Sequence, residues 1–276
     1  MTTRRLIFHF YVYDEWEKNP VYHIHKYFLS KYSHIFNEAT FIISVDDVNN
    51  WKLINSAESF LLDCKFKSLQ FIVTENTRLY EVDTFDKFIV KKMDKLDGLT
   101  FFGHVKGVSD YNNPKMDKAA ILLWISSLYY LGLEFYKEAE WAAYTAKSCF
   151  FGGPMVFYDE NCGIYLPKNL FMYSGTFYWL NGKEIHDRFN GEYPEIKNRY
   201  YAEHFPGNLC HRYNYEAFSH NYMMVSASSI GSDMFKSEDV AKAYIAPLLK
   251  EEGEIEAFMA ERNNLEDYLI ANGINY

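Results

Sequence analysis

The 276-residue sequence contains only four cysteines, which are far apart in the chain. They are Cys64, Cys149, Cys162 and Cys210. No two of them form a CxxC pair, so neither a zinc knuckle nor a disulfide framework is indicated, and we expect a cytoplasmic protein with reduced thiols. Long basic runs are also missing, since none exceeds two residues, and the net charge is −9. This pattern argues against a surface that follows the phosphates of a nucleic acid.

Long apolar runs and several enzyme signatures are absent as well. No window approaches the roughly 20 apolar residues that a membrane-spanning helix needs, so we expect no integral membrane segment. GxSxG, GxxxxGKS and HExxH do not occur, which leaves serine hydrolases, P-loop enzymes and zinc proteases without support. Asp-x-Asp, a pattern of paired metal-binding carboxylates, does not occur either.

Aromatic residues, in contrast, are abundant. They make up 19% of the chain and include 24 tyrosines and 23 phenylalanines. Together with a hydrophobic fraction of 49%, they predict a folded globule in which tyrosines line clefts as well as the core. The chain has no internal repeat and no linker-like stretch, so we favour a single domain over residues 1–276.

The order of apolar patterns predicts an α/β fold. In the first part of the chain, predicted strands at 5–13, 39–47, 67–79 and 99–105 alternate with predicted helices at 20–36, 51–63 and 83–96. Such alternation indicates a Rossmann-like, mainly parallel central sheet with helices on both faces. Farther along, the pattern is helical over 116–147 with a break near Gly132, a strand or loop over 149–158, a strand, turn and helix over 168–189, and helical over 236–270.

Polar residues stand where the predicted parallel strands end, which is where ligands bind in such sheets. They are Tyr11 and Tyr13, Asp46 and Asp47, Glu75 and Asn76, and His104 and Lys106. His104 and Lys106, two positions apart on a strand, point to the same side, and a pyrophosphate could use them as two donors. Gly103 and Gly107 beside them allow the backbone to approach a ligand closely. The alternative is an ordinary surface loop, with the lysine in solvent and the histidine capping a carbonyl.

Three motifs in this order resemble a family of glycosyltransferases for surface polysaccharides, of the rhamnan-synthesis and capsule type. They are "FFGHVKG" (101–107), "YSGTFYW" (173–179) and "RYYAEHFPG" (199–207). Thr176 stands where the family usually has Asn, and Tyr178 where it has the first Trp of its segment. The resemblance covers about residues 5–210. It implies a GT-A-like fold with a nucleotide-binding half to about residue 110, an acceptor half over about 111–215 and a helical tail over about 216–276.

The resemblance also implies a reaction and a set of site residues. The reaction is the transfer of a sugar, of the hexosyltransferase type, from a nucleotide-sugar donor to a glycan or a lipid-linked saccharide. Lipid-linked acceptors would bring the protein to a membrane surface, although no segment has the amphipathic pattern of an anchor. The expected donor-binding residues are Tyr11, Tyr13, Asn76, His104, Lys106 and Gly107, and the expected sugar- or acceptor-binding residues are Tyr173, Ser174, Gly175, Thr176, Trp179 and Arg199.

Glu203 is the expected general base, because the resemblance places it beside the acceptor. Its apolar and aromatic surroundings in "AEHF" favour a raised carboxyl pKa. The alternative is an inert surface glutamate. Arg199, four residues earlier, would share a helix face with Glu203 and pair with it or with phosphate. Tyr173, Phe177 and Trp179 could stack on sugar rings, although aromatic residues at that spacing are also typical of a core.

Metal use stays open at this stage. The "HVKG" turn stands where many GT-A enzymes have Asp-x-Asp, which favours direct contact with the diphosphate. A rival site for Mg²⁺ or Mn²⁺ is formed by Glu81 and Asp83, two acids after the third predicted strand; their alternative role is to begin the next helix. A second functional class, a non-catalytic carbohydrate-binding or assembly protein on the same fold, also remains, because fold alone does not define function.

Overall fold

A computed structural model describes residues 3–77, 79–152, 155–157, 171–195, 200–212, 219–221, 224–226, 237–245, 249 and 252–274. In these residues, seven strands form one sheet: β1 Arg4–Tyr11, β2 Glu38–Val45, β3 Leu69–Glu75, β4 Leu99–His104, β5 Phe150–Gly152, β8 Tyr178–Asn181 and β9 Ser219–Asn221. Three short strands form a second sheet: β6 Met155–Phe157, β7 Phe171–Tyr173 and β10 Met224–Ser226.

The α-helices of the described residues alternate with strands as far as β4 and follow one another in groups after it. They are α1 Pro20–Tyr32, α2 Trp51–Leu62, α3 Glu81–Phe88, α4 Val108–Tyr111, α5 Lys118–Tyr129, α6 Tyr136–Tyr144, α7 Gly182–Phe189, α8 Tyr201–Arg212, α9 Glu238–Ile245 and α10 Glu252–Ala271. Four of these helices, α1, α2, α5 and α7, are preceded by an N-cap residue, which is Asn19, Asn50, Asp117 and Asn181, respectively. Each cap side chain accepts a hydrogen bond from a backbone N–H of the first turn, which would otherwise lack a partner.

The order of the strands in the large sheet is β3-β2-β1-β4-β8-β5-β9. All of them are parallel except β8, which is antiparallel to both of its neighbours. The chain moves outward from β1 to β2 and β3, and then returns to place β4 on the other side of β1. The boundary between β1 and β4 is therefore the topological switch point, where open α/β sheets bind their ligands.

Both faces of the sheet are buried. Phe8 of β1 and Phe101 of β4 belong to a core cluster that includes residues of α1, α2 and α5. Ile7 and Phe102, one position along each strand, belong to a cluster that includes residues of α3, α7 and α8. Successive side chains of a strand point to opposite faces, so burial on both sides explains the consecutive apolar residues in the middle of these strands.

The prediction of a mainly parallel α/β sheet covered by helices on both faces is confirmed. The break near Gly132 is also present, as a π-helix from Tyr130 to Glu134 between α5 and α6. The interpretation of 168–189 was incomplete, because the strand β8 lies between the predicted turn and α7. With four residues, all of them buried, β8 is too short to show a period, and the capping residue of α7 is its last residue.

Among the described helices, no single one is long and apolar enough to cross a membrane. The segments 118–134 and 136–144 would be long and apolar enough only if they are taken together, and the chain bends by 50° between them.

The contact between β5 and β8 generates a first prediction, because Gly152 leaves no room for a side chain. A Cβ atom at Gly152 would lie 2.6 Å from the Cα atom of Tyr178, which is backbone and cannot rotate away. We expect Gly152→Ala to lower the free energy of unfolding by about 1–3 kcal/mol, measured by urea denaturation. The control is Gly253→Ala in α10, where a Cβ would have no neighbour within 4 Å. Equal losses for the two variants would contradict the packing explanation.

Candidate functional site

A cavity of about 370 Å³ opens at the topological switch point. Its walls are the end of β1 and the following residues to Tyr13, the start of α3, the turn after β4 and the start of α8. His9 and His104, which are paired in register on β1 and β4, both line it. The sheet topology thus brings four separate segments of the chain to one pocket.

Six of the predicted donor-binding and catalytic residues line this pocket. They are Tyr11, Tyr13, His104, Lys106, Gly107 and Glu203. Asn76 is connected to the pocket only through a neighbour: its side-chain N–H donates to Asp46 at 3.0 Å, and Asp46 accepts the hydroxyl of Tyr11 at 3.2 Å. Burial and the Asp46 carboxylate raise the pKa of Tyr11 to about 12, so its hydroxyl keeps its proton at neutral pH.

Trp179, Tyr173 and Thr176 are placed in the core instead of at the pocket. Each is fully buried. The ring of Trp179 stacks on Phe36, and its indole N–H donates to the backbone oxygen of Gly132 at 2.6 Å. The expectation that these side chains meet a sugar is therefore corrected, since the strand β8 and its neighbours bury them. Arg199 and the side chain of Ser174 lie outside the described residues.

Hydrogen bonds connect the remaining predicted residues into a network around Gly175. The His104 ring donates its Nε2–H to the backbone oxygen of Gly175 at 3.0 Å, and the Gly175 N–H donates to Glu203 Oε1 at 3.0 Å. Lys106 Nζ lies 3.6 Å from the same carboxylate oxygen, and about a quarter of the lysine side chain is exposed. Both polar groups of Gly175 are thus used inside the protein, so the backbone donor expected there for a sugar is not free.

A second buried histidine holds the turn that carries Lys106. His25 of α1 donates Nε2–H to the backbone oxygen of Lys106 at 2.9 Å, and its Nδ1 accepts the hydroxyl of Tyr129 at 2.8 Å. We place the ring proton of His25 on Nε2 because the backbone carbonyl of Lys106 can only accept a hydrogen bond. Gly107 then turns the chain with a φ of +89°, and a Cβ there would lie 2.8 Å from Ile125 Cδ1. This position therefore requires glycine for both its conformation and its packing.

The buried histidines are neutral. Burial lowers the pKa of His9 to about 4 and of His104 and His25 to about 3. The ammonium group of Lys106 adds to the effect at His104. A neutral imidazole has a single N–H, and His104 uses it on Gly175, so its Nδ1 presents a lone pair.

The pocket carries negative charge at neutral pH. Burial acts to lower the pKa of Lys106, but the carboxylates of Glu203, Glu81 and Asp110 raise it above its usual value. The ammonium group therefore stays protonated. Since His9 and His104 are neutral, the described walls combine three carboxylates with one cation.

The rival metal-binding pair does not face one site. Glu81 and Asp83 both lie in the first turn of α3, and residues two apart on a helix point in different directions. Glu81 lines the pocket, whereas Asp83 pairs with Lys87 at 2.9 Å. Within the described ranges, no three His, Cys, Asp or Glu side chains are placed to hold a metal ion.

Sequence reasoning missed several pocket residues. His9 lies two and four positions before Tyr11 and Tyr13, so the period of a strand could have placed it on their side. Tyr200 stands three positions before Glu203, a spacing that brings residues to one face of a helix, whereas Tyr80 had no such signal. Tyr80 reaches the pocket through a backbone with φ of 51° and ψ of −130°, a combination that a bulky residue rarely adopts.

Comparisons with known proteins add little to this description. No protein-family model and no curated protein matches the chain. Among solved structures, the chain is similar to a 4-diphosphocytidyl-2C-methyl-D-erythritol synthase, with a TM-score of 0.36 and 8% sequence identity. The match covers 91% of this chain and 100% of that chain. This similarity is too remote to bear on the chemistry of the site. The resemblance to surface-polysaccharide glycosyltransferases therefore stays a prediction.

The neutral histidines generate a prediction for stability against pH. Between pH 6.5 and about pH 4, histidines of the unfolded chain bind protons while the buried ones do not, so the unfolded state is favoured as the pH falls. We expect His9, His25 and His104 together to lower the free energy of unfolding by up to about 4 kcal/mol per pH unit, and His23 and His204, whose pKa values burial also lowers, add to this slope. Urea denaturation at pH 8, 6 and 5 measures the slope. His104→Gln should reduce the slope by up to about 1.4 kcal/mol per pH unit, whereas an equal reduction by the exposed His34→Gln would contradict this origin.

Thr176 generates a prediction about backbone strain. Its φ is +62°, its side chain is β-branched and fully buried, and its hydroxyl has no hydrogen-bond partner. Asn adopts positive φ more easily, so we expect Thr176→Asn to raise the free energy of unfolding by about 1 kcal/mol. Thr176→Val keeps the branched side chain and replaces only the hydroxyl, by a methyl group. If Thr176→Val raised the free energy of unfolding as much as Thr176→Asn, the unpaired hydroxyl, and not the backbone conformation, would be what destabilises the wild type.

Proposed function

We propose that this protein is a GT-A-like glycosyltransferase that moves a sugar from a nucleotide-activated donor to a glycan or lipid-linked saccharide in surface polysaccharide synthesis. The observation that carries the proposal is the place of the pocket, at the carboxyl ends of β1 and β4 where the strand order reverses. Nucleotides bind at this point in open α/β sheets. The three sequence motifs add the reaction class.

The walls of the pocket suit the parts of such a donor. Tyr11, Tyr13, Tyr80 and Tyr200 offer aromatic rings for the base or ribose, with Asn76 acting behind Tyr11 through Asp46. Lys106 is the cation among the described lining residues, so we assign it to the phosphates of the donor. Its ammonium would stabilise the negative charge that develops on the departing diphosphate.

Glu203 is the proposed general base. Its Oε1 accepts the Gly175 N–H and faces Lys106, which fixes the direction of the carboxylate. The other oxygen, Oε2, is then the one that would take the proton of the acceptor hydroxyl. With one base beside the acceptor, inversion at the transferred carbon is the simplest mechanism.

A divalent cation fits this pocket only in part. Glu81 and Asp110 supply hard oxygen ligands beside Lys106, but the described residues provide no complete set for a metal ion. Mg²⁺ and Mn²⁺ are commonly held by one or two carboxylates together with substrate phosphates. Such an ion would neutralise charge on the diphosphate.

One observation favours a second candidate, a non-catalytic carbohydrate-binding protein. The described walls carry three carboxylates against one ammonium, which suits an uncharged saccharide better than a bare diphosphate. The two candidates differ in whether a nucleotide is bound and whether a sugar is released from it.

A thermal-shift panel of UDP-, GDP-, dTDP- and CMP-sugars, with Mn²⁺ or with EDTA, tests the proposal. We expect one donor to stabilise the wild type by about 2.7 kcal/mol at a concentration one hundred times its Kd, because a ligand of the native state raises apparent stability. Lys106→Met should lose this response, while Lys115→Met, at an exposed position, should keep it. Glu203→Gln should bind the donor but not turn it over in a coupled assay of nucleotide release.

Two results would overturn the proposal. If no sugar nucleotide shifts the wild type in either buffer, the pocket is not a donor site. If free glycans bind while nucleotides neither bind nor turn over, the carbohydrate-binding candidate takes its place.

A further inference from the structure

The pocket has a buried polar end and an exposed aromatic end. His9, His104 and Glu203 are only 3%, 8% and 7% exposed, whereas Tyr80 and Tyr200 are both 46% exposed. A ligand that fills the cavity therefore places one part among the buried polar groups and another between the tyrosines.

The hydrogen-bonding capacity of His104 is half used. Its Nε2–H is given to the Gly175 oxygen, and within the described residues its Nδ1 has no partner. His104 lines the cavity, so this nitrogen is the part of the ring left for a ligand. A lone pair accepts a hydrogen bond from O–H or N–H, and it has nothing to offer a phosphate oxygen or a carboxylate.

The surrounding charges keep His104 in this form. A proton on Nδ1 would create a second buried cation two residues from Lys106, and both burial and the ammonium oppose it. Glu203, Glu81 and Asp110 already offset the charge of Lys106, so no positive charge is left over for an anionic group beside His104 at the buried end. This end of the pocket therefore suits a neutral group that donates hydrogen bonds.

We infer that His104 Nδ1 accepts a hydrogen bond from a hydroxyl group of an uncharged sugar ring, which lies at the buried end of the pocket beside Glu203. The inference rests on the proposed function in so far as the sugar is carried by a nucleotide. It gives the two polar residues of the "HVKG" turn different roles, since Lys106 contacts the phosphates and His104 contacts the sugar. The expectation that both donate to a pyrophosphate is thereby revised for His104.

The first experiment needs no identified donor. Two-bond ¹H–¹⁵N spectra of ¹⁵N-histidine-labelled protein distinguish protonated from bare ring nitrogens. We expect His104 to keep Nε2–H and a bare Nδ1 from pH 8 to pH 5, and we expect millimolar glucose, galactose or rhamnose, but not pyrophosphate, to shift the Nδ1 resonance. A hydrogen on Nδ1, a shift caused by pyrophosphate alone, or no shift with any sugar would overturn the inference.

The second experiment separates the sugar from the nucleotide. For the donor series that binds, calorimetry compares the nucleoside diphosphate with its sugar ester on the wild type, His104→Leu and His104→Gln. We expect His104→Leu to weaken the sugar ester by about tenfold or more and leave the diphosphate unchanged, because the variant loses the hydrogen bonds to the sugar and to Gly175, and neither of them involves the diphosphate. His104→Gln should recover part of the loss, since an amide has both a donor and an acceptor. Unchanged diphosphate binding also shows that the variants are folded.

The outcomes distinguish this inference from the proposed function. If neither the diphosphate nor any sugar ester binds, the proposed function fails, and the ¹⁵N experiment with free sugars decides the inference alone. If both bind and His104→Leu weakens them equally, the proposed function stands and the inference fails. UDP-glucose against UDP-glucuronate tests the charge argument where the uridine series binds, and tighter binding of the carboxylated sugar would contradict it.

Discussion

The peptide of Gly175 is the connection on which the pocket depends. His104 at the end of β4 and Glu203 in α8 are far apart in sequence, and each uses its hydrogen bond on the same glycine. Gly175 has a φ of +82°, and a Cβ there would lie 2.9 Å from Leu128 Cδ1, so this position needs glycine for its conformation and its packing. If this turn moved, the ring of His104 and the carboxylate of Glu203 would both lose their orientation. The "YSGTFYW" segment thus contributes to the site through its backbone, while its aromatic rings fill the core.

Burial has a second consequence, which is electrostatic. The packing that encloses His9, His25 and His104 makes their charged forms unfavourable, so the described walls contain one cation, Lys106, against three carboxylates. Phosphate binding in such a pocket must come from a well-placed ammonium group and not from an overall positive field. His25 provides part of that placement, because it holds the Lys106 carbonyl and is itself held by Tyr129.

Much of the fold and part of the site could be predicted from the sequence, because both depend on local patterns. Alternating apolar strands and helices predict the parallel sheet, and the ends of β1 and β4 then predict the position of His104 and Lys106. Trp179 shows why the rest could not be predicted: its role depends on β8, a four-residue strand whose antiparallel pairing is a long-range contact. Tyr80 could not be predicted either, because it reaches the pocket through a backbone conformation that cannot be inferred from the residue type.

Thr176 and Tyr178, which differ from the motif of the glycosyltransferases that the sequence resembles, have structural roles that involve no ligand. Thr176 has positive φ and is fully buried, so the usual Asn at this position suits a demand of the backbone. Tyr178 is buried too, and its hydroxyl donates to the backbone oxygen of Ala202 in α8 at 2.9 Å. This contact ties β8 to the helix that carries Glu203. Neither side chain lines the cavity, so neither substitution changes what the acceptor would meet. Under the proposed function, the acceptor would be selected by the residues that do line the cavity, above all those around Glu203.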